Sequence, residues 1–254
     1  IGITEYYPHY TAYQSILKIK GQPVQHESYE IIHPLIPEKL VAGSRYTIRT
    51  EIRNSGQTIL RAEDDYTLTI PENNGFAISE VTLPTIEPGQ KGELRFTLLV
   101  PQSPGQTNVT IGITHNHRTI PLESRQVTII PPPNLTLQLN LGWRKTSDAQ
   151  NVKVLLYKKD QLIHEFPGQT LAGGRITIKE ILDIVPGEQY RVVAIVPNYL
   201  PRQKLQTIGE GTTLIQLSRF LPLDFENDGA FTVGDIITLI NTPPHAVLSR
   251  FFGP

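Results

Sequence analysis

The chain has no cysteine, no methionine and a single tryptophan, and almost no net charge: 23 Lys and Arg against 24 Asp and Glu leave −1. Without cysteine there is no disulfide framework, no thiolate metal site and no cysteine nucleophile. Balanced charge, with no long run of one sign, argues against nucleic acid or an anionic membrane as the main partner. No apolar run approaches the roughly 20 residues of a membrane span. The Gly-x-Ser-x-Gly elbow, the His-Glu-x-x-His motif and the phosphate loop are all missing. Glu63-Asp64-Asp65 reads as one face of a strand edge rather than as two carboxylates held across a cleft. The expectation is a protein that is not an enzyme. Methionine is absent even at position 1, so a chain beginning at Ile1 is expected after signal-peptide removal or as a fragment.

What is present is punctuation. Twenty-one prolines and 19 glycines separate short β-type runs in 254 residues, enough chain for two ordinary domains. Ser44-Arg-Tyr46-Thr-Ile48-Arg-Thr50-Glu-Ile52-Arg-Asn54 alternates strictly, as a half-buried antiparallel strand does. Further strands read at 65–71, 78–83, 93–100, 108–114 and 124–130, with Glu-Pro-Gly-Gln and Ser-Pro-Gly-Gln turns between them. Pro131-Pro132-Pro133 marks a semi-rigid boundary. Beyond it, strands read at 135–141, 152–157, 162–167, 174–178, 189–196 and 212–217, and 176–184 holds either a strand or one short helical turn.

Five segments result: 1–33, β-prone and tyrosine-rich; 34–130, a first sandwich; 131–133, a proline linker; 134–219, a second sandwich; and 220–254, a loop and helix. The fold class is mostly β: two tandem immunoglobulin-like or prealbumin-like β-sandwiches with a C-terminal calcium loop and helix.

The loop carries the sharpest chemistry. From Asp224 to Asp235, oxygen-bearing side chains fall at loop positions 1 (Asp224), 3 (Glu226), 5 (Asp228), 9 (Thr232) and 12 (Asp235), and Ala230 offers its carbonyl at position 7. Gly229 stands at position 6, where the chain turns sharply. Calcium is a hard cation that takes six to eight oxygens, which gives the spacing its physical reason. Phe231, at position 8, is expected to anchor the loop to a core. Thr232-Val-Gly-Asp235 also forms a capping box for a helix over 233–240, which Pro243-Pro244 stops. The apolar end, 246–252, is expected to pack back.

Asp224, Asp228, Gly229, Asp235 and the following Ile236-Ile237-Thr-Leu239-Ile240 resemble a dockerin-type calcium repeat, a loop with no entering helix and Asp at position 12. Glu226 and Phe231 depart from that pattern, and a single repeat is found where dockerins carry two. The resemblance therefore implies a structural calcium clamp ahead of cohesin docking. Val152-Lys-Val-Leu-Leu-Tyr157 and the run from Ile184 through Pro186-Gly187 and Tyr190 to Tyr199 are similar to carboxypeptidase-regulatory-like sandwich modules. Arg53-Asn54-Ser-Gly56 and Ile86-Glu-Pro88-Gly89-Gln90 resemble immunoglobulin-like modules of secreted bacterial proteins. These resemblances imply an extracellular or cell-surface location.

Tyr6, Tyr7, Tyr10 and Tyr13 crowd the first segment, which has three readings: a frayed first strand of the first sandwich, a tyrosine-rich contact surface, or a donor strand that completes a neighbour's sheet. His115-Asn-His117 sits at a hairpin tip and reads as a solvated turn ahead of a metal pair. Asn108 and Asn134 fit the N-glycosylation triplet, Asn134 being the one expected to be exposed. The functional expectation is a structural or adhesive protein, a calcium-stabilised subunit of a surface layer or filament whose partner is itself or another surface protein. The alternative is a module that docks to a cohesin-like partner or to carbohydrate.

Overall fold

The computed structural model describes residues 2–6, 10–14, 26–33, 36–72 and 74–243, the first two segments by backbone alone. Strand β1 (Gly2–Tyr6) and strand β2 (Tyr10–Gln14) pair antiparallel as a sheet of their own.

The first sandwich has two four-stranded sheets. One runs β3 (Tyr29–Ile31), β5 (Arg45–Asn54), β8 (Lys91–Leu99) and β7 (Ala77–Thr82); the other runs β4 (Lys39–Val41), β10 (Arg118–Ile130), β9 (Gly105–His115) and β6 (Thr67–Thr69). Strand β5 alternates in burial as its sequence alternates in polarity: Tyr46, Ile48, Thr50 and Ile52 are buried, while the intervening Arg, Thr and Glu are exposed. Leu94, Phe96 and Leu98 of β8 share one core with Val109, Ile111 and Ile113 of β9. The sandwich begins earlier than residue 34. Strand β3 pairs with β5, the Gln57 N–H donates to the His26 carbonyl at 2.7 Å, and the Ser55 N–H donates to the Ser28 carbonyl at 2.9 Å. A three-residue strand is too short to display a period, which is why the alternation did not mark it.

The second sandwich packs a three-stranded sheet, β14 (Arg175–Ile178), β11 (Asn134–Gln138) and β17 (Thr212–Gln216), on a four-stranded one: β13 (Gln161–Leu171), β12 (Ala149–Lys158), β15 (Gln189–Ile195) and β16 (Arg202–Thr207). Strand β11 runs parallel to β17 and antiparallel to β14. Residues 179–188 form a loop with left-handed backbone at Glu180 and Asp183, so no helical turn follows β14. Phe220 is fully buried in this core, which extends the sandwich just past residue 219.

Pro131–Pro133 separate β10 from β11, but the sandwiches also meet directly. The Val41 N–H donates to the Tyr46 hydroxyl at 2.9 Å, and that hydroxyl donates to the Ile184 carbonyl at 2.7 Å. Asp183 receives the Arg45 N–H at 2.7 Å, and its own N–H donates to Ser44 Oγ at 2.8 Å. Val41 and Ile130 of the first sandwich belong to the core of the second. Burial pushes the Tyr46 phenol up to about 12, so it keeps the proton it donates. Helix α1 (Val233–Asn241) ends the described chain. Among the described residues no helix is long and apolar enough to cross a membrane.

Candidate functional site

The loop that the sequence singles out leaves the second sandwich after Phe220 without an entering helix. Its first half is shaped by two carboxylates that gather backbone donors. Asp224 accepts the N–H of Asp228 at 3.0 Å and of Gly229 at 3.1 Å, and Asp228 accepts the N–H of Ala230 at 2.9 Å. Gly229 takes φ +87°, as a sharp turn at this point requires. The second half is closed by Asp235. Its Oδ1 accepts the N–H of Phe225 at 2.7 Å and of Glu226 at 3.2 Å, and its Oδ2 accepts the N–H of Thr232 at 2.6 Å, completing the reciprocal capping box of α1.

Both of these aspartates are buried: Asp224 is 1% exposed and Asp235 fully enclosed. Neither has a cationic partner among the described residues. The electrostatic consequences differ. Burial pushes the Asp224 carboxyl up, and the nearby Asp228 and Asp235 charges add to the push against two lowering N–H bonds. Asp235 is pulled down by its backbone donors, Thr232 first. A buried carboxylate held against its own solvation, with hard oxygen donors beside it, suits a cation. The donor chemistry of Asp224, Asp228, the Ala230 carbonyl and Thr232 fits calcium. The side chains are not drawn to one point, however. Glu226 lies over Gly234 in the first turn of α1 and accepts from Thr238 Oγ1 at 3.3 Å. Among the described residues no three His, Cys, Asp or Glu side chains are gathered as a metal cluster.

Two features of the loop depart from expectation. Phe231 is 52% exposed, so it is not a buried anchor of the loop; Phe225, one residue after Asp224, is the buried aromatic. Asn227 and Asn198 take a part that no motif in the sequence announces. The Asn198 N–H donates to Asn227 Oδ1 at 2.7 Å, tying the loop to the end of the second sandwich. Both asparagines hold left-handed backbone, which Asn tolerates better than most residues, and that preference was their only signal in the sequence.

Helix α1 presents its apolar residues outward. Val233, Ile237 and Ile240, one face at i, i+4 and i+7, are 71, 53 and 75% exposed, and among its described residues only Asp235 is buried. The apolar end 246–252 lies outside the described residues, as does Tyr7. Tyr6 stands opposite Tyr10 in the β1–β2 hairpin, and Tyr13 stands opposite Ile3; these strands pair with each other rather than with the first sandwich.

His115 is not a solvated turn residue. Its Nδ1 sits 2.6 Å from Glu27 Oε1, its ring stacks on Tyr66 at 3.9 Å, and the Tyr66 hydroxyl also donates to Glu27 at 2.8 Å. His117 is exposed at φ +61° in the tight turn. The glycosylation triplets also reverse rank. Asn134 is half-buried and its Oδ1 accepts the Glu180 N–H at 3.0 Å, whereas Asn108 is exposed. Glu63 and Asp64 lie in an exposed 3-10 turn (Ala62–Asp64) rather than on a strand edge.

No protein-family model matches this chain, and no curated protein does. Solved structures similar to it include the Bacillus anthracis TIE protein, at 12% identity and TM-score 0.28, covering 80% of this chain and 41% of that one. The Yersinia pseudotuberculosis adhesin InvE matches at 15% identity and TM-score 0.24, covering 72% and 58%. The D0-D1 domain of intimin matches at 10% and 0.23, covering 66% and 89%. The chain thus spans less than two thirds of the first two. At these scores the likenesses carry no argument about function; the β-sandwich architecture rests on the strand pairing described above.

Proposed function

We propose that this chain is a non-enzymatic structural or adhesive module of a secreted or cell-surface protein, stabilised by calcium and built to associate with copies of itself in a layer or filament. The observation that carries the reading is the junction. Two sandwiches share buried residues across a proline boundary and are hydrogen-bonded through Ser44, Arg45, Tyr46, Asp183 and Ile184. Inter-domain motion is the default for tandem domains; a junction closed in this way suits a rod that transmits position and load.

Two surfaces support self-association. The β1–β2 hairpin is a two-stranded sheet, marginal in water by itself, and a strand from a neighbouring copy would complete it. The exposed apolar face of α1 is a second candidate contact. Calcium at Asp224, Asp228, the Ala230 carbonyl and Thr232 would relieve the buried Asp224 charge and fix α1 on the second sandwich. Glu226 and Asp235 would join if the loop closes on the ion. The exposed α1 face favours a second reading, docking to a different surface protein.

Sedimentation velocity of the native material, with calcium and then with chelator, separates these readings. Large discrete particles that shrink on chelation are expected. A monomer under both conditions would overturn self-assembly and leave docking to a separate partner.

A further inference from the structure

On the outer face of the β3–β5–β8–β7 sheet, charge is laid out in an order that the sheet itself does not favour. Strands β5 and β8 pair antiparallel from Arg45 opposite Leu99 to Arg53 opposite Lys91, and alternate residues of each point out of the sandwich. Arg53 stands opposite Lys91, Glu51 opposite Glu93 and Arg49 opposite Arg95, and all of these residues are exposed. Like charges directly opposite each other destabilise a sheet, so alike pairs in succession are a cost to the fold. With Arg49 and Glu51 exchanged, the same residues would make the Glu93 and Arg95 pairs opposite in sign.

Little within the molecule offsets this. Lys91 reaches diagonally to Glu51 at 2.9 Å. Glu30 of β3 stands opposite Arg53, but the neighbour of Arg95 on β7 is Thr82. Arg49, Arg53, Glu93 and Arg95 make no ion pair among the described residues. The face is therefore banded: a basic row, an acidic row and a basic row, each about 7 Å from the next. The row after them, Thr47 and Thr97, bears the exposed carboxylate of Glu80, which accepts from Thr97 Oγ1 at 2.7 Å. Among the bands lies a shallow depression of about 610 Å³, lined by His33, Arg49, Glu51, Lys91 and Glu93 among others.

The bands select their partner. A polyanion would meet the glutamates, and a free cation would meet the basic rows on either side of them. A surface banded at the same spacing with the signs reversed meets each row favourably, and the chain itself is such a surface once shifted by one row. We propose that this face is a contact with a second copy of the chain, antiparallel and offset by one row. About the resulting two-fold axis Arg49 faces Glu51 of the second copy and Arg95 faces its Glu93, and each pair forms twice. Arg53 and Lys91 then face the row that bears Glu80. Exposed pairs are weak singly, so the bands set register and selectivity more than strength. The proposal rests on the reading above that the chain associates with itself, and names one surface through which it does so.

Sedimentation velocity of the full chain tests it. Wild-type association is expected to weaken at least about tenfold between about 0.1 and 1 M NaCl, as the screening length falls from about 10 to 3 Å. The double variant Glu51→Arg with Glu93→Arg makes every row basic, and Arg49→Glu with Arg95→Glu sets acid against acid at the same offset. Each is expected to lose the contact alone. Mixed in equal amounts they are expected to recover it as mixed pairs, because each acidic row then faces a basic one; recovery also excludes misfolding as the cause of the loss. Wild-type association by either variant alone would overturn this contact and leave self-association through other surfaces standing. So would a mixture that stays apart although both variants melt as wild type does. A wild type that is monomeric at every salt concentration would overturn the contact and the self-association reading together.

Discussion

Asp224 sets the chemistry of the loop at the residue scale, and its behaviour with pH has a definite sign. A carboxyl whose pKa rises on folding favours the folded state at low pH and disfavours it as pH rises through the folded value. Asp224 is such a group, so its ionised form is a burden at neutral pH when nothing neutralises it. Asp235 runs the other way: its contribution is present above the ordinary carboxylate value and is lost as pH falls through its depressed one. Calcium would convert the Asp224 burden into a stabilising contact. At a calcium concentration 100 times the dissociation constant the gain is about 2.7 kcal/mol. Thermal melts of wild type are therefore expected to rise with calcium, and Asp224→Ala to remove that rise while changing little in chelator. The gain is also expected to fade on acidification while ordinary aspartates are still ionised, because Asp224 takes its proton early. Equal calcium gains in wild type and variant, or a gain unchanged down to acid pH, would remove calcium from this loop.

Elements differ in how openly the sequence declares them, and the difference is physical. Strand β5 was legible because one face is buried and one is wet, so composition repeats the pleat. Strand β16 reads Arg-Gln-Lys-Leu-Gln-Thr and was missed. It is a sheet edge with no buried residue, so burial imposes no alternation on it. Strand β3 was missed for its length, yet a glycine enforces its approach. A Cβ on Gly56 would stand 2.5 Å from the His26 carbonyl oxygen and 2.6 Å from the Ser28 nitrogen. Gly56→Ala is therefore expected to lift residues 26–31 from β5, seen as faster hydrogen exchange at Ser55 and Gln57 and a loss of about 1–3 kcal/mol from the freed backbone groups. Unchanged protection at those two amides would contradict it. The capping box of α1 was legible from Thr232 and Asp235, but the outward set of its apolar face was not. Periodicity gives the stripe without saying what covers it. Replacing Ile237 and Ile240 with Glu is expected to leave the melting temperature within about 2–4 °C, since each surface change lies within about 0.5 kcal/mol, and to reduce particle size in sedimentation. Particles of wild-type size would take α1 out of the subunit contact.

For the whole molecule, the decisive contacts join residues that no local pattern links. Pro131–Pro133 announce a boundary, but the two sandwiches are also bridged there by Tyr46 and Ile184, 138 positions apart. Tyr46 is read locally as one more inward residue of β5, and only the tertiary structure makes its hydroxyl a bridge between the two sandwiches. That hydroxyl both receives the Val41 N–H and donates to the Ile184 carbonyl. Removing it strands a buried donor and a buried acceptor at once, at about 1–3 kcal/mol for each unsatisfied group. Tyr46→Phe keeps the ring, so the core of the first sandwich should stay filled. The expected result is a lower melting temperature together with a broader distribution of inter-domain distances, measured by small-angle scattering or by paired spin labels on exposed sites such as Lys91 and Leu205. The second readout decides what the junction is for. If the variant melts earlier but its inter-domain distances stay as narrow as wild type, the prolines and shared core alone set the orientation. If the distances broaden and the particles also disperse, the Tyr46 bridge holds the geometry on which assembly depends.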